Sequence, residues 1–191
     1  IRDRKDTRIK LIKGKKIEDG WLGKSWACHQ LASYVKGDYL IFTDADTLHF
    51  PDTVSKALAA MVQNKLDGIS VYPKQLMVTF TERMLVSFIG MGLFTMMPLA
   101  LVKKTKGKFF STGIGQFFMF KRQAYFKFGG HESVKAEILE DVHLSKKIKA
   151  AGFKYMVFDG SSNIFCRMYK NFKDTITGFS KFIFAAFDYN G

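Results

Sequence analysis

Cysteine is scarce in this chain. Cys28 and Cys166 are the whole supply, too few for a disulfide framework, although one bridge stays open; the scarcity fits a reducing compartment. The four histidines, His29, His49, His131 and His143, stand in no zinc-binding spacing with those cysteines. A Gly-x-Ser-x-Gly elbow, a Cys/His nucleophile pair and the spacing of a P-loop are all missing. So are internal repeats, low-complexity linkers and a signal peptide. The chain opens on Ile1 rather than Met, and the expectation is that it begins inside a longer protein. Acidic residues are also few: 17 Asp and Glu face 30 Lys and Arg, a net charge of +13 over 191 residues.

What is present excludes other classes. Hydrophobic residues make up 47% and charged residues 25%, which rules out a disordered tail and a collagen-like chain. The length suits one domain with its own core. Eight basic residues crowd Arg2–Lys16, and Lys103, Lys104, Lys106 and Lys108 follow an apolar stretch. No helix-turn-helix, zinc-finger or RNP-like motif accompanies this charge, so nucleic acid is not the expected partner. An anionic membrane surface and a nucleotide diphosphate both fit it.

Strand and helix patterns alternate. Arg8–Ile12 reads as a short strand, and Gly23–Val35 as a helix capped by Ser25. Asp38–Thr43 is a buried strand. Pro51–Asn64 is a helix with Pro51 at its start, and Gly68–Tyr72 is a strand. Gln116–Phe120 is strand-like, and Arg122–Phe128 a short helix ended by Gly129-Gly130. Glu140–Ala150 is a helix stopped by Gly152. Phe153–Phe158 and Ile164–Tyr169 are extended, and Phe172–Tyr189 is an amphipathic, Phe-rich stretch. The rhythm predicts an α/β domain with a mostly parallel sheet flanked by helices. Met84–Val102 carries no charge. Pro98, Gly90 and Gly92 interrupt it, so a segment lying in the membrane interface or buried in the core fits better than a span.

Four groups of residues carry chemistry. Asp44-Ala45-Asp46 closes a buried strand at its carboxyl end, where α/β sheets bind ligands. Its hard oxygens suit Mg²⁺ or Mn²⁺, while a plain strand-end turn is the competing explanation. Glu140-Asp141 opens a helix, as a dipole-stabilised pair or as a general base. Gly20-Trp21-Leu22-Gly23-Lys24 offers backbone N–H groups and an ammonium to phosphate. Arg167-Met168-Tyr169 offers a guanidinium beside an aromatic ring.

In this order the residues resemble family 2 glycosyltransferases, and within them the membrane-associated branch acting on carotenoid and hopanoid-type lipids. The resemblance rests on Gly20–Cys28, Phe42–Thr47, Gly113–Phe120 with Gly129-Gly130-His131, Glu140–Leu144 and Arg167–Tyr169. It implies a GT-A fold, Rossmann-like, and inverting transfer from a nucleotide-diphospho-sugar to a hydroxyl or carboxyl group of a lipid acceptor at the cytoplasmic face of the cell membrane. By resemblance Asp44 lies at the nucleotide and Asp46, with Asp44, holds a divalent metal. Asp141 is the base and Glu140 its support. Trp21, Gly23, Lys24 and Arg167 contact the donor, and Gly113, Gly115 and Gln116 line the acceptor side. The Gln-x-x-Arg-Trp motif of processive relatives is absent, which disfavours polysaccharide synthesis. The Pro-x-x-Asn-Glu loop with which members begin is absent too.

Two alternatives use the same residues. Asp44-Ala45-Asp46-Thr47 also fits a phosphatase of the haloacid dehalogenase type, with Asp44 as nucleophile and Asp46 as acid/base. The charge also fits a basic membrane-binding module without catalysis.

Overall fold

The structure is a computed structural model that describes residues 6–80, 82–84, 86–88, 112–168 and 176. The basic loop at 103–110, most of the uncharged stretch 84–102, Tyr169 and nearly all of 172–189 lie outside the described residues.

Phe117-Phe118-Met119-Phe120 has no polar residue with which to face water, and it forms the innermost strand. This is β5 (Phe117–Lys121), and its first four residues are buried. It lies between β1 (Tyr39–Thr43) and β3 (Gly68–Tyr72), antiparallel to both. β6 (Tyr155–Asp159) completes the sheet, parallel to β3 in the register Gly68↔Tyr155 to Tyr72↔Asp159. The order is β1-β5-β3-β6. Strands β1, β3 and β6 therefore point one way, and β5 is reversed among them.

Alternation along β5 divides the core. Phe118 and Phe120 face one layer with Leu40, Tyr125, Leu144 and Ile148. Phe117 and Met119 face the other with Ala57, Met61, Ile69 and Ile164. The first layer lies under α1 (Gly23–Tyr34), α3 (Arg122–Lys127) and α4 (Glu140–Ala150), which supply Ala32, Tyr125, Leu144 and Ile148. The second lies under α2 (Thr53–Gln63), through Ala57 and Met61. Each fully buried side chain of this size stabilises the fold by roughly 1.5–3 kcal/mol. α4 and β3 approach so closely that a Cβ on Gly68 would come within 2.6 Å of the Ile148 side chain. Gly129, with φ +90°, reverses the chain after α3.

A smaller sheet of β2 (Thr47–His49), β7 (Ile164–Cys166) and β4 (Lys74–Gln75), in the order β2-β7-β4, adjoins the end of β1. Its register sets Thr47 opposite Cys166, which brings the chain around Arg167 to the Asp44–Asp46 turn.

Some expectations fail. The pairing is mixed rather than mostly parallel, because β5 runs against β1 and β3 and β2 against β7. The expected buried strand Asp38–Thr43 is the edge strand β1, in which only Leu40 is buried. Arg8–Ile12 forms no strand, because no neighbouring strand among the described residues pairs with it. Instead Arg8 folds back on Asp6, its guanidinium 2.7 Å from the carboxylate. Ser25 does not cap α1; it is buried inside the first turn. The helix starts from extended Leu22, whose carbonyl accepts the Trp26 N–H at 2.9 Å.

Candidate active site

The end of β1 is braced by its own side chains. Thr47 Oγ1 donates to the Asp44 carbonyl at 2.7 Å. Thr43 Oγ1 lies 2.8 Å from both Thr47 Oγ1 and His49 Nε2. This clasp fixes the turn that carries Asp44 and Asp46. The Asp44 N–H donates to the Gln116 carbonyl at 3.4 Å, which ties the turn to the start of β5.

Lys24 joins two acidic groups that stand almost a hundred residues apart. Its Nζ lies 2.9 Å from Asp44 Oδ1 and 3.0 Å from Glu140 Oε1. Burial alone would lower the Lys24 pKa, but the Glu140 and Asp44 carboxylates override it and hold the ammonium charged above its ordinary range. One member of the strand-end pair and one of the helix-start pair thus meet at a single ammonium.

Asp141 lies close enough to feel both Glu140 and Lys24. Its Oδ2 accepts the Gly115 N–H at 3.0 Å, and its Oδ1 accepts the Val142 N–H at 2.8 Å. Burial, and then the Glu140 charge, push its pKa up to about 6; the two N–H donors and Lys24 pull the other way. A carboxylate in that range is poised to take up a proton near neutral pH. Gly113 is required by contact, while Gly115 abuts only the flexible end of Lys24. A Cβ on Gly113 would stand 2.6 Å from the Asp141 carbonyl oxygen, and one on Gly115 would stand 3.0 Å from Lys24 Nζ.

A cleft of about 250 Å³ runs between α1 and β1. Lys24, Asp44, Gly115 and Glu140 form its polar end, and Leu31, Val35, Leu40 and Phe42 line the apolar remainder. His131 also borders it. Burial, with the Lys24 and His29 charges, drives the His131 pKa down to about 3, so the ring stays neutral.

The structure brings Lys24, Asp44, Glu140, Asp141, Gly113 and Gly115 together. Other expected residues sit differently. Trp21 packs on Trp26 and His29, with ring centroids 5.0 and 4.8 Å away. Gly23 opens α1 beside empty space. The Gln116 side chain turns from the cleft, donating to Cys166 Sγ at 3.0 Å and accepting from Gln75 at 3.1 Å. Arg167 pairs with Glu82 at 2.8 Å. The Thr43–Thr47–His49 clasp and Glu82 were not expected as parts of the site. Thr79-x-x-Glu82 is a legible helix-start pattern, but nothing local ties it to an arginine 85 positions on.

Asp46 presents an exposed carboxylate beside Cys166. Burial, and then the Asp46 charge, push that thiol up to about 12, so it stays protonated. Among the described residues no three His, Cys, Asp or Glu side chains form a ready metal cage. The donor set instead fits a shared cation. Asp46 is open and Asp44 has an oxygen beyond the one facing Lys24, so a ligand's own oxygens would complete the shell.

The sequence comparison decides the family. The model of glycosyl transferase family 2 matches residues 3–128. The chain belongs to glycosyl transferase family 2. With that membership the phosphatase alternative falls. The 4,4'-diaponeurosporenoate glycosyltransferase of Staphylococcus haemolyticus is 27% identical over 164 residues, covering 84% of this chain and 43% of that protein. The enzyme of the same name from Staphylococcus aureus strain MRSA252 is 25% identical over 171 residues, with the same coverage. The chain thus spans less than half the length of the curated relatives it matches. Among solved structures, the mannosyltransferase PcManGT of Pyrobaculum calidifontis, determined in complex with GDP-Man and Mn2+, aligns with a TM-score of 0.51 at 17% identity, covering 78% of this chain and 37% of that one. The fold is that of the GT-A glycosyltransferases, and the reversed β5 accounts for the mixed pairing of a sheet whose other strands share one direction.

Proposed function

We propose that this chain is the catalytic glycosyltransferase domain of a longer protein, and that 1–191 acts as a single domain. It moves a sugar from a nucleotide-diphospho-sugar to a hydroxyl or carboxyl group of a lipophilic acceptor, with inversion. The observation that carries this reading is Lys24 bridging Asp44 and Glu140, which joins the end of β1 to the helix start that carries Asp141. The GDP-Man bound by the solved structure and the carotenoid acid named for the curated relatives support the donor and acceptor classes.

In this mechanism Lys24 and Arg167 face the diphosphate, Asp44 the nucleotide, and Trp21 and Gly23 flank the donor. Asp46, with Asp44, would hold a divalent metal, Mn²⁺ or Mg²⁺, whose charge offsets that of the leaving diphosphate. Asp141 takes the proton of the acceptor hydroxyl as its oxygen attacks the anomeric carbon and the carbon–phosphate-oxygen bond breaks. One carboxylate on the far side of the sugar suffices for a single displacement. Glu140 keeps Lys24 in place and keeps the Asp141 pKa high. Gly113 and Gly115 shape the acceptor side, to which Gln116, its side chain turned toward Cys166, lends only its backbone carbonyl on the Asp44 N–H. A carboxyl acceptor arrives already ionised and asks less of Asp141.

Work at the cytoplasmic face of the cell membrane, against an anionic surface, suits the +13 charge and such an acceptor. Among the described residues no helix is long and apolar enough to cross a membrane.

The test is isothermal titration with UDP and GDP, with and without Mn²⁺, on the native protein and on Asp46→Ala. Metal-dependent binding that vanishes in Asp46→Ala supports the reading. Binding indifferent to both metal and substitution overturns the metal assignment, and loss of transfer in Asp141→Asn with nucleotide binding intact isolates the base.

A further inference from the structure

Arg167 follows β7, one residue past Cys166, whose thiol lies against Asp46. Its guanidinium NH2 is 2.8 Å from Glu82 Oε1. Glu82 is only 1% exposed and is fixed by a second set of bonds. Its Oε2 accepts the Val78 N–H at 2.7 Å, and its own N–H donates to Thr79 Oγ1 at 3.2 Å. Thr79 and Glu82 thus cap the start of the helical residues 80, 82–84 and 86–88 in a variant of the capping box, in which the carboxylate takes the N–H of Val78, one residue before the cap. The Arg167 side chain keeps about a third of its surface exposed, and among the described residues its buried Nε has no hydrogen-bond partner. Guanidinium carries five donors, and Glu82 engages a single nitrogen of the three. The register that sets Thr47 opposite Cys166 brings the backbone at Arg167 beside the Asp46 end of the turn.

A helix cap does not need the charge of Glu82, because glutamine closes a capping box equally well. A buried carboxylate is costly unless a cation meets it. Arg167 is that cation, and without Glu82 its long side chain would have no fixed direction.

We propose that Glu82 is a positioning residue that aims the Arg167 guanidinium at the diphosphate of the nucleotide donor. The proposal rests on the reading of Arg167 as a donor contact. It adds a specific dependence: affinity for the second phosphate of the nucleotide runs through a residue at the edge of the uncharged stretch 84–102.

The experiment measures dissociation constants for UDP, UMP, GDP and GMP with Mn²⁺ on the full-length protein, comparing native, Glu82→Gln, Arg167→Ala and the double variant. Glu82→Gln keeps the cap and removes the charge. The expected result is about tenfold weaker diphosphate binding in Glu82→Gln, unchanged monophosphate binding, and a double variant no weaker than Arg167→Ala. A capping role alone would move mono- and diphosphate together or move neither, and either result overturns the proposal. Weakening in Arg167→Ala with none in Glu82→Gln overturns the positioning role and leaves the donor reading intact. No effect in Arg167→Ala, or no binding by the native protein, overturns the donor reading itself. Should Glu82→Gln fail to fold, Glu82→Asp serves: it keeps the charge but withdraws it from Arg167. Unchanged diphosphate affinity there overturns the proposal, and selective weakening supports it.

Discussion

The backbone N–H of Gly115 points at Oδ2 of Asp141 from 3.0 Å away. One hydrogen bond thus fixes the carboxylate that opens α4 to the loop that enters β5. It stabilises the ionised form of Asp141, while burial and Glu140 favour the neutral one and set the pKa near 6.

For a hydroxyl acceptor, kcat/KM is expected to rise tenfold per pH unit up to about pH 6 and then level off, because the base works only when ionised. The stability effect has the opposite sign. The Asp141 pKa rises from 3.8 to about 6 on folding, so its contribution is full below pH 3.8 and is lost as pH climbs through 6. Asp141→Asn should therefore lose transfer by roughly 10²–10⁴-fold, yet melt no lower than the native protein at pH 7.5. A pH–rate profile paired with thermal melts checks both.

Lys24→Ala separates stability from function. The Lys24 side chain is about half exposed, although Glu140 beside it is largely covered, so losing its two partly screened ion pairs costs on the order of 1 kcal/mol. Nucleoside diphosphate affinity should fall about tenfold. Removing a cation that holds the Asp141 pKa down should also move the acid limb of the rate profile above pH 6. A limb that stays in place would show that Lys24 and Asp141 are not coupled.

The two loop glycines should respond differently to alanine. At Gly113 the new Cβ meets the Asp141 carbonyl oxygen at 2.6 Å and the Phe118 ring at 2.7 Å. Backbone and core must both shift, at about 1–3 kcal/mol, and Asp141 moves with them. At Gly115 the nearest atom is the mobile end of Lys24 at 3.0 Å. Gly115→Ala should fold almost normally and lose activity through the displaced ammonium. Urea unfolding and transfer assays on the pair resolve this; equal destabilisation would contradict the difference in what each new methyl meets.

Tyr125→Phe tests the support of His131, which borders the cleft. The buried Tyr125 hydroxyl lies 2.7 Å from His131 Nδ1 and accepts the His131 backbone N–H at 3.1 Å. Losing it strands a buried donor, at about 1–3 kcal/mol. The urea midpoint should fall with an unchanged m-value, and nucleotide binding should persist.

Elements whose residues answer to their own neighbours were legible in the sequence. The strand Gly68–Tyr72 and the helix Glu140–Ala150 have the expected bounds, because an apolar run and a Gly-stopped helix are local patterns. Long-range facts were not. Nothing in Phe117–Lys121 says that it enters the sheet reversed, since an apolar strand buried on both faces looks alike in either direction. Arg8–Ile12 has a strand's composition, and composition supplies no partner. In the site, Asp44, Asp46, Glu140 and Asp141 stood out as acid pairs at element ends. The role of Lys24 as the bridge between them, and the turning of Gln116 toward Cys166, depend on packing between distant segments.

The reversed strand also orders events in time. β1 and β3 share a direction but touch only through β5, which lies between them and is made later than either. A chain growing on the ribosome therefore holds two unpaired strands until residues 117–121 arrive. The Lys24 bridge waits longer still, for Glu140. Ligand-binding competence is thus a late event in synthesis, and a chain truncated ahead of α4 would expose Phe-rich edges without a working site to compensate.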